Sequence, residues 1–511
     1  MDSLLEHVAH WKPFTALVVG DFMLDQLVYG DAERLSADAP VPILHVSSRE
    51  DRPGGSANVC LDLVALKANV IAMGVTGHDD AARALHESLA SQGVDVSGLV
   101  VDPSRPTTVK QNLIGMAQAR HPQKMFRVDY ESREPLSPQV VAELLAKFEK
   151  ALPAVDVVCI EDYDKGVCTP ELCQRVIRAA RRAGKPVFVD PARLADYAKY
   201  RGAAAITPNR TEAESATGLR THGEAAPAHN RALAEKLLRE CDLDAVVLTL
   251  DRHGALLQER AGEPIAVPTI ARQVYDVTGA GDMFLAGLAA ARANAIAWAD
   301  AVRFANAAAG LEVEVFGVQP IPLEKVHLSL ISIARAGGGK LRTMRELLVE
   351  VADVKRRGGK VVFTNGCFDV LHAGHVALLD FARAQGDFLI VATNTDEKVR
   401  EYKGPNRPVN VLKDRVTVLS GIASVDAVMV FEEDTPIESI DRLRPDVLVK
   451  GSEYSEAEIP GAAMVKTYGG QVVRFAMQRT LSTTDVLRRS GDPRHAVEAR
   501  ADTKSRFVED K

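Results

Sequence analysis

One pattern recurs along the whole sequence: a short apolar run, a segment with helical spacing, and then another apolar run. The run Val155–Ile160, for example, is followed by the helical segment Glu171–Ala183 and then by the run Pro186–Asp190. Strands that alternate with helices in this way form parallel sheets, because each helix carries the chain back across the sheet and covers one of its faces. The sequence therefore predicts an α/β fold with helix-covered parallel sheets.

The chain of 511 residues is too long for one hydrophobic core. Glycine clusters lie near both ends of the segment 334–360, and a charged amphipathic helix is predicted between them. A new strand-like run, Lys360–Phe363, starts directly afterwards. We therefore predict a first domain at 1–335, a linker with a charged helix at 336–359, a second domain at 360–488, and a polar, mobile tail at 489–511.

Composition excludes several classes of protein. The net charge of -7 provides no basic field for binding nucleic acid. No apolar stretch reaches the length of a membrane span, and the first residues lack the basic start and apolar core of a signal peptide. The six cysteines form no CxxC pair and no zinc-like spacing with histidine. We expect a cytoplasmic protein that binds neither nucleic acid nor membranes.

The segment Val277–Asp282 (VTGAGD) precedes a predicted helix and has the composition of an anion-binding turn. Glycines at this position let backbone N–H groups converge on an anion, and the helix N-terminus adds its partial positive charge. A carboxylate beside such an anion suits the deprotonation of a hydroxyl that attacks a phosphate. Asp282 is therefore a candidate general base; the alternative is that it only caps the helix.

Three further polar segments lie at predicted strand ends or helix starts, namely Gly20–Asp25, Gly54–Asn58 and Thr207–Glu212. Together with the DVTGAGD segment, they resemble the ribokinase-like (PfkB) family of sugar kinases across the predicted first domain. The resemblance implies a ribokinase-like α/β domain with a small strand lid, which Tyr29–Val46 would form. In relatives this lid also pairs subunits, so we expect a homodimer through the lid.

The same resemblance implies a role for each motif of the first domain. Asp282 would be the general base, and the anion hole would be formed by the N–H groups of Gly279, Ala280 and Gly281. ATP, with Mg²⁺ as its cofactor held through Glu212 and water, would be bound by Asn209, Arg210, Thr211 and Glu212. The sugar would be held by Asp25, Gly55 and Asn58, with Lys110, Arg127, Asp162 and Lys165 as further candidates that could instead be surface charges.

A second motif, His372-Ala373-Gly374-His375, lies between the run Lys360–Phe363 and a predicted helix, Val376–Ala384. Two histidines three residues apart lie on one face of a helix turn, where their N–H groups can reach the phosphates of a nucleotide. Such a pair taken alone also fits a metal site or no site at all. Its position after a strand and before a helix resembles the HxGH nucleotidyltransferases, which implies a Rossmann-like second domain.

By this second resemblance, His372 and His375 stabilise the transition state of nucleotidyl transfer. The attacking sugar phosphate is already ionised, so the reaction needs alignment and charge neutralisation and no general base. The segment Arg479–Thr484 resembles the element that holds the triphosphate in this family. The predicted nucleotide-binding residues are Thr364, Asn365, Gly366, Phe368, Asn394, Asp396, Lys403, Lys450, Arg479, Ser482, Thr483 and Thr484.

The order of the two domains resembles a family of bifunctional enzymes that act as heptose 7-phosphate kinase and heptose 1-phosphate adenylyltransferase. The resemblance implies ATP-dependent phosphorylation of D-glycero-β-D-manno-heptose 7-phosphate at O1, and adenylyl transfer from ATP to the heptose 1-phosphate, which gives ADP-heptose for lipopolysaccharide. Two alternatives stay open. One is the same pair of chemistries on another sugar or polyol phosphate with CTP; the other is a nucleotidyltransferase whose kinase-like module is inactive and regulatory.

Overall fold

The computed structural model describes residues 2–117, 121–221, 226–269, 277–315, 317–334, 339–452 and 454–476. The chain divides into two compact units, Met1–Leu330 and Ile331–Lys511. The domain limits inferred from the sequence remain a prediction.

The first unit contains two sheets. Its strands are β1 (Phe14–Gly20), β2 (Phe22–Leu35), β3 (Pro42–Gly55), β4 (Ala68–Thr76), β5 (Asp95–Val101), β6 (Thr108–Ala117), β7 (His121–Tyr130), β8 (Val157–Glu161), β9 (Val187–Asp190), β10 (Ala205–Ile206), β11 (Ala245–Thr249), β12 (Ala255–Glu259) and β13 (Ile265–Val267). The helices up to residue 334 are α1 (Asp2–Ala9), α2 (Ser56–Ala65), α3 (Asp80–Ser91), α4 (Pro138–Ala151), α5 (Pro170–Arg182), α6 (Arg210–Thr217), α7 (Pro227–Glu240), α8 (Ala280–Ala293), α9 (Trp298–Glu312) and α10 (Leu323–Ala334).

The larger sheet has nine strands in the order β13-β12-β11-β10-β9-β8-β1-β4-β5. All neighbouring strands from β11 to β5 are parallel pairs, whereas β11–β12 and β12–β13 are antiparallel pairs. Every residue of β8 is buried, as expected for a strand that helices cover on both faces. Val158 and Ile160 of this strand share one hydrophobic core with Phe148 of α4 and Val176 of α5. The predicted helix-covered parallel sheet is confirmed.

A separate four-stranded sheet, in the order β3-β2-β6-β7, forms the lid. Strands β2 and β6 pair in parallel, whereas β2–β3 and β6–β7 are antiparallel pairs. Several large apolar side chains of this sheet are exposed, among them Phe126 at 67% and Leu35 at 64%. The resemblance predicted a lid over Tyr29–Val46, and the sheet extends beyond that segment on both sides.

The second unit is built on a five-stranded parallel sheet in the order β16-β15-β14-β17-β18. The strands are β14 (Val361–Asn365), β15 (Phe388–Asn394), β16 (Ala427–Phe431), β17 (Val447–Gly451) and β18 (Gln471–Phe475). The helices are α11 (Met344–Arg356), α12 (Ala373–Arg383), α13 (Asp396–Lys403), α14 (Leu412–Gly421), α15 (Ile437–Leu443) and α16 (Ala462–Thr467). The chain order reverses between β14 and β17, and such a switch point opens a crevice for ligands.

Helix α11 is the charged helix that the sequence assigns to the linker. Its Leu347 and Val351 are buried and share a hydrophobic core with Val361 and Phe363 of β14. Thr343 and Glu346 form a capping box at its start. The helix is thus packed as part of the second unit.

Among the helices of the described ranges, none is long and apolar enough to cross a membrane.

Candidate active sites

Asp282 lies in the first turn of α8, and its side chain is buried. Gly279 precedes this helix in a left-handed conformation with φ of 90°. A Cβ at Gly279 would lie 2.7 Å from Oε1 of Glu312, so both the backbone conformation and the space require glycine. The first N–H groups of α8 have no carbonyl partner within the helix, which is what an anion hole needs.

Two side chains hold the carboxylate of Asp282. The Nδ2 of Asn58 donates a hydrogen bond to Oδ2 over 2.9 Å, and the hydroxyl of Tyr163 donates to Oδ1 over 2.8 Å. Burial raises the pKa of Asp282 to about 6, while these hydrogen bonds and the charge of Lys110 act in the opposite direction. A carboxylate with a pKa this close to neutrality is ionised at neutral pH and accepts a proton more readily than an exposed aspartate.

Two further carboxylates, which the sequence analysis did not single out, lie beside Asp282. Glu161 ends β8 and Asp190 ends β9, and carboxylate oxygens of these three residues lie within 4.8 Å of one another. Burial raises the pKa of Glu161 and of Asp190 well above the usual range, and the neighbouring carboxylates raise them further. The only sequence signal was that both residues end neighbouring strands of a parallel sheet.

The start of α6 holds the predicted ATP-binding motif in a fixed geometry. Oδ1 of Asn209 accepts from the N–H of Glu212 over 3.0 Å, and Oε2 of Glu212 accepts from the N–H of Asn209 over 2.8 Å. This capping box orients both side chains. Burial raises the pKa of Glu212. Arg210 and Thr211 are the first two residues of the helix.

The lid contributes charged residues in one row. Asp25 on β2 is paired with Arg52 on β3 and with Lys110 on β6. Directly paired residues point to the same face of a sheet. Nζ of Lys110 lies 4.7 Å from the centroid of the Tyr163 ring, so this face is turned toward the carboxylate of Asp282. Burial raises the pKa of Asp25, which four nearby cations lower: Lys110, Arg127, Lys124 and Arg52.

Three of the seven candidate sugar ligands are engaged elsewhere. Asp162 accepts from the hydroxyl of Tyr200 over 2.7 Å and forms an ion pair of 2.5 Å with Lys199. The other two ion pairs are Lys165 with Glu131 at 2.5 Å and Arg127 with Asp129 at 2.8 Å. The structure gathers the remaining four around α2 and the lid row: Asp25, Gly55, Asn58 and Lys110.

In the second unit, the histidines of the HxGH motif cap their own helix. Nδ1 of His372 accepts from the N–H of Gly374 over 3.2 Å, and Nδ1 of His375 accepts from the N–H of His372 over 3.4 Å. Because both Nδ1 atoms accept, each neutral ring carries its proton on Nε2. The ring centroids lie 3.9 Å apart. The helix start thus fixes two neighbouring Nε2–H donors.

Burial keeps these rings neutral. It lowers the pKa of His372. It also lowers the pKa of His375 to about 4, to which repulsion from Lys403 and from the protonated form of His372 adds. Lys403 ends α13 and is exposed. At neutral pH the pair therefore presents N–H donors, and Lys403 is a positively charged neighbour of His375.

Polar groups at the end of β14 border the crevice between β14 and β17. Nζ of Lys450 donates to the backbone oxygen of Asn365 over 2.9 Å. The hydroxyl of Thr364 and Oδ1 of Asn365 are buried and have no hydrogen-bond partner among the described residues. Such orphaned acceptors and donors fit a site that is completed by a polar ligand. Gly366 donates its N–H to the oxygen of Ala392, which fixes the loop that follows.

A buried arginine, which the sequence analysis missed, organises the same loops. Arg415 of α14 is 1% exposed and donates to the oxygens of Cys367 and Asn394 over 2.7 and 2.8 Å, and to a carboxylate oxygen of Asp396 over 2.7 Å. Asp396 is therefore engaged by this arginine. An arginine within the partly apolar segment DRVTVL was the only signal in the sequence.

One aromatic ring and one amide side chain also lie near the histidine pair and its neighbouring loops. The ring of Phe368, whose φ is 47°, meets the ring of His375 edge to face at 5.5 Å between centroids. Asn394 is buried and its Oδ1 accepts from the thiol of Cys367 at 3.7 Å.

Some predicted residues lie outside the described part of the chain. They are Asp276 of the first motif and four residues of the second domain, Arg479, Ser482, Thr483 and Thr484.

Comparison with protein families identifies both parts of the chain. The family model for pfkB family carbohydrate kinases matches residues 15–325, and the model for cytidylyltransferase-like proteins matches residues 363–489. These matches agree with the two resemblances that the motifs indicated.

Curated relatives match almost the whole chain. The bifunctional protein HldE of Geobacter sulfurreducens is 40% identical over 94% of this chain and 96% of its own length. The bifunctional protein HldE of Caulobacter vibrioides is 42% identical over 96% of this chain and 99% of its own, and that of Wolinella succinogenes is 42% identical over 92% and 96%. The similarity thus includes both units in their order.

Solved structures resemble the first unit. Phosphofructokinase-2 from Escherichia coli in complex with potassium superposes with a TM-score of 0.51 at 18% identity, and covers 63% of this chain and 99% of its own. The tetrameric inhibited form of the same enzyme gives a TM-score of 0.50 at 18% identity, with coverages of 62% and 99%. At this identity the likeness establishes the ribokinase-like fold alone.

Proposed function

Because this chain belongs to the family of bifunctional HldE proteins, with a pfkB carbohydrate kinase part and a cytidylyltransferase-like part, we propose that it makes ADP-heptose in two steps. The first unit phosphorylates D-glycero-β-D-manno-heptose 7-phosphate at O1 with ATP. The second unit transfers an adenylyl group from ATP to the heptose 1-phosphate and releases pyrophosphate. The placement of Asp282, buried and hydrogen-bonded at the start of α8, carries the kinase assignment.

In the kinase step, Asp282 accepts the proton of the O1 hydroxyl. The oxygen then attacks the γ-phosphorus of ATP, the bond from that phosphorus to the β–γ bridging oxygen breaks, and ADP leaves. Charge that develops on the transferred group is met by the N–H groups of Gly279, Ala280 and Gly281, to which the dipole of α8 adds. No general base other than Asp282 is needed.

Magnesium accompanies ATP in this proposal, and Glu212 would hold it through water. A carboxylate oxygen is the ligand type that Mg²⁺ prefers, and the capping box with Asn209 keeps the carboxylate of Glu212 in one orientation. When bound, the ion neutralises charge on the phosphates. Arg210 and Thr211 are the first two residues of the same helix and would contact the nucleotide.

The sugar is bound between the lid and α2. Asp25 accepts hydrogen bonds from sugar hydroxyls, and Gly55, whose φ is 57° directly before α2, would contact the sugar through its backbone. Lys110 meets the phosphate of the substrate, because the side chain projects from the lid over Tyr163. We do not assign sugar contacts to Asp162 and Lys165, since both form buried ion pairs within the protein.

In the transferase step, a phosphate oxygen of the sugar 1-phosphate attacks the α-phosphorus of ATP, and the bond to the leaving pyrophosphate breaks. His372 and His375 donate Nε2–H hydrogen bonds to the phosphates, and Lys403 and Lys450 supply positive charge. The orphaned polar atoms of Thr364 and Asn365 at the end of β14 are satisfied by the nucleotide. These groups align and neutralise the reactants, as this chemistry requires.

We also propose that the protein is a homodimer through its lid, which exposes Phe126, Leu35 and Val46. Exposed apolar side chains on a small sheet are a common basis for subunit pairing. The cytoplasm is the proposed location, because the reactions use ATP and all six cysteines are unpaired.

One experiment tests the function directly. The purified protein is incubated with Mg²⁺, with ATP or CTP, and with a panel of sugar phosphates that includes heptose 7-phosphate and heptose 1-phosphate; the products are identified by mass. We expect heptose 1,7-bisphosphate from the first substrate and ADP-heptose from the second. A CDP product from another sugar or polyol phosphate would replace the proposed substrates, and a lack of any kinase product would indicate an inactive first unit.

A further inference from the structure

We propose that Tyr163 is a positioning residue of the kinase, which holds the catalytic carboxylate of Asp282 in place and connects it to Lys110 of the lid. The inference rests on the proposed role of Asp282 as general base. It extends that role to a residue that none of the motifs includes as a site residue and that follows directly after β8 and Asp162.

The backbone of Tyr163 is fixed from one side. Its N–H donates to Oδ2 of Asp21 over 2.8 Å, and the carboxylate of Asp21 also accepts from the N–H groups of Lys165 and Val167 over 3.2 and 3.3 Å. Asp21 is 1% exposed. One buried carboxylate therefore fixes the loop that carries Tyr163, so the position of the phenol is determined before substrate binds.

The phenol of Tyr163 is in contact with the reacting group. Its hydroxyl donates to Oδ1 of Asp282 over 2.8 Å, while Asn58 donates to Oδ2. Each carboxylate oxygen accepts up to two hydrogen bonds, so one lone pair on each remains for the acceptor hydroxyl of the sugar. Burial and the charge of Asp282 raise the pKa of Tyr163 well above its usual value, which keeps the phenol a neutral donor.

The ring of Tyr163 also supports the lid. Nζ of Lys110 lies 4.7 Å above its centroid, a distance at which a cation is attracted to an aromatic face. A cation above the ring makes the phenol a better hydrogen-bond donor, because it withdraws electron density from the oxygen. A change in the position of Lys110, and hence of the lid strand β6, would thus alter the hydrogen bond that Tyr163 donates to Asp282.

The charged and titratable groups that face Asp282 come from five elements other than its own helix. Lys110 on β6 favours the ionised form of Asp282, and Asp25 on β2 opposes it. Three further carboxyl groups lie near Asp282, those of Asp62 on α2, Glu161 on β8 and Asp190 on β9; burial and the charge of Asp282 raise their pKa values well above the usual range. The two donors Asn58 and Tyr163 lower the pKa of Asp282 and so favour its ionised form near neutral pH.

The test is Tyr163→Phe, which removes the hydroxyl and keeps the ring under Lys110. We expect kcat of the kinase to fall about tenfold, as for the loss of a hydrogen bond to a charged group, with KM for ATP and for the sugar phosphate within about twofold of wild type. The acid limb of the kcat/KM profile should move to higher pH, because the carboxylate has lost a donor that favours its ionised form. Ionisation of the substrate affects wild type and variant alike. A displacement of the acid limb between their two pH profiles therefore comes from a group of the protein.

A matched control is Tyr200→Phe. The buried hydroxyl of Tyr200 donates to Oδ2 of Asp162 over 2.7 Å, so the control removes the same kind of tyrosine–aspartate hydrogen bond from the same unit. It should destabilise the fold to a similar extent and leave the acid limb at its wild-type position. Nucleotidyl transfer from sugar 1-phosphate, measured in both variants, verifies that the second unit is intact.

The outcomes separate this inference from the proposed function. Unchanged kcat and an unmoved acid limb in Tyr163→Phe, with an inactive Asp282→Asn variant, would overturn the positioning role alone. An active Asp282→Asn variant would overturn the general base, and with it this inference. If Tyr163→Phe does not fold, replacement of Tyr163 by 3-fluorotyrosine decides: the more acidic phenol is a stronger donor to Asp282, so the acid limb should move to lower pH, and an unmoved limb contradicts the positioning role.

Discussion

Asp282 and His375 both lie in the first turn of a helix, and burial shifts the pKa of each toward the neutral form of its side chain. The consequences are opposite. For the carboxyl group, a pKa of about 6 leaves an ionised side chain with increased affinity for a proton. For the imidazole, a pKa of about 4 leaves a neutral ring that donates from Nε2. The same physical effect thus favours proton acceptance by the carboxylate in one unit and N–H donation by the imidazole in the other.

We predict that Asp282→Asn abolishes phosphorylation of the sugar phosphate and leaves nucleotidyl transfer unchanged. Loss of a general base typically lowers the rate by ~10²–10⁴-fold, and the amide keeps the shape of the side chain. The measurement is ADP release from ATP with heptose 7-phosphate, beside pyrophosphate release with heptose 1-phosphate. Wild-type kinase activity in this variant would remove Asp282 from the role.

We predict that His372→Ala and His375→Ala each lower kcat of nucleotidyl transfer by about 10²–10³-fold, as for the loss of one donor to a developing charge, with small changes in KM. Kinase activity should stay at the wild-type level in both. The transferase is also assayed after chelation and return of Mg²⁺. Recovery that depends on Zn²⁺ would show that the histidines are metal ligands.

The protonation of the same pair is open to direct measurement. Since burial lowers its pKa, His375 stays neutral from about pH 5.5 to pH 8, and protonation, with the repulsion it brings from Lys403, begins only below that range. We predict that NMR of ¹⁵N-histidine-labelled protein shows no titration of the His375 ring in that interval, with the proton on Nε2. The resonance is assigned by its absence in His375→Ala. A midpoint near pH 6.5 would contradict a neutral pair.

At the scale of elements, helix starts hold most of the candidate site residues. Helices α6, α8 and α12 each follow a turn or strand end that places polar groups over the carboxyl ends of strands. Helix α11 has the same kind of capping box as α6, but in the second unit, where it stabilises a packed helix. The two capping boxes therefore provide a comparison between a cap that serves a site and one that serves stability.

We predict that Asn209→Ala destabilises the first unit by ~1 kcal/mol, the usual value of an N-cap, and raises KM for Mg·ATP because Glu212 loses its fixed orientation. Thr343→Ala, at the start of α11, should destabilise the second unit by a similar amount without changing kinase kinetics. Thermal unfolding and steady-state kinetics of both variants decide the matter. An equal KM for Mg·ATP in Asn209→Ala and wild type would mean that the cap has only a structural role.

At the scale of the whole molecule, the two units contain their own sheets, cores and sites. We predict that fragments 1–338 and 339–511 are each soluble and each retain one activity. The division must precede α11, because Leu341 pairs with Val428 and Leu347 is fully buried in the second core. A fragment that starts at 357 loses that core helix and should unfold at a lower temperature. Inactivity of both fragment 1–338 and fragment 339–511 would show that the units complete each other's sites.

The sequence by itself determined the parallel α/β architecture and the positions of both phosphate-binding motifs. These features are local: strand and helix periodicity, glycines before a helix, and histidines three residues apart all act over one or two turns of chain. The match with the family was therefore recognisable from short segments such as VTGAGD and HAGH.

Only the tertiary structure decided which side chains meet. Tyr163, Glu161 and Asp190 converge on Asp282 because their strands are neighbours in the sheet, although more than a hundred residues separate Tyr163 from Asp282 in the chain. Asp162 was equally plausible from its motif, yet Lys199 and Tyr200 engage it. Burial and partners of a polar side chain depend on residues that are distant in sequence, and they determine its pKa and its availability to a substrate.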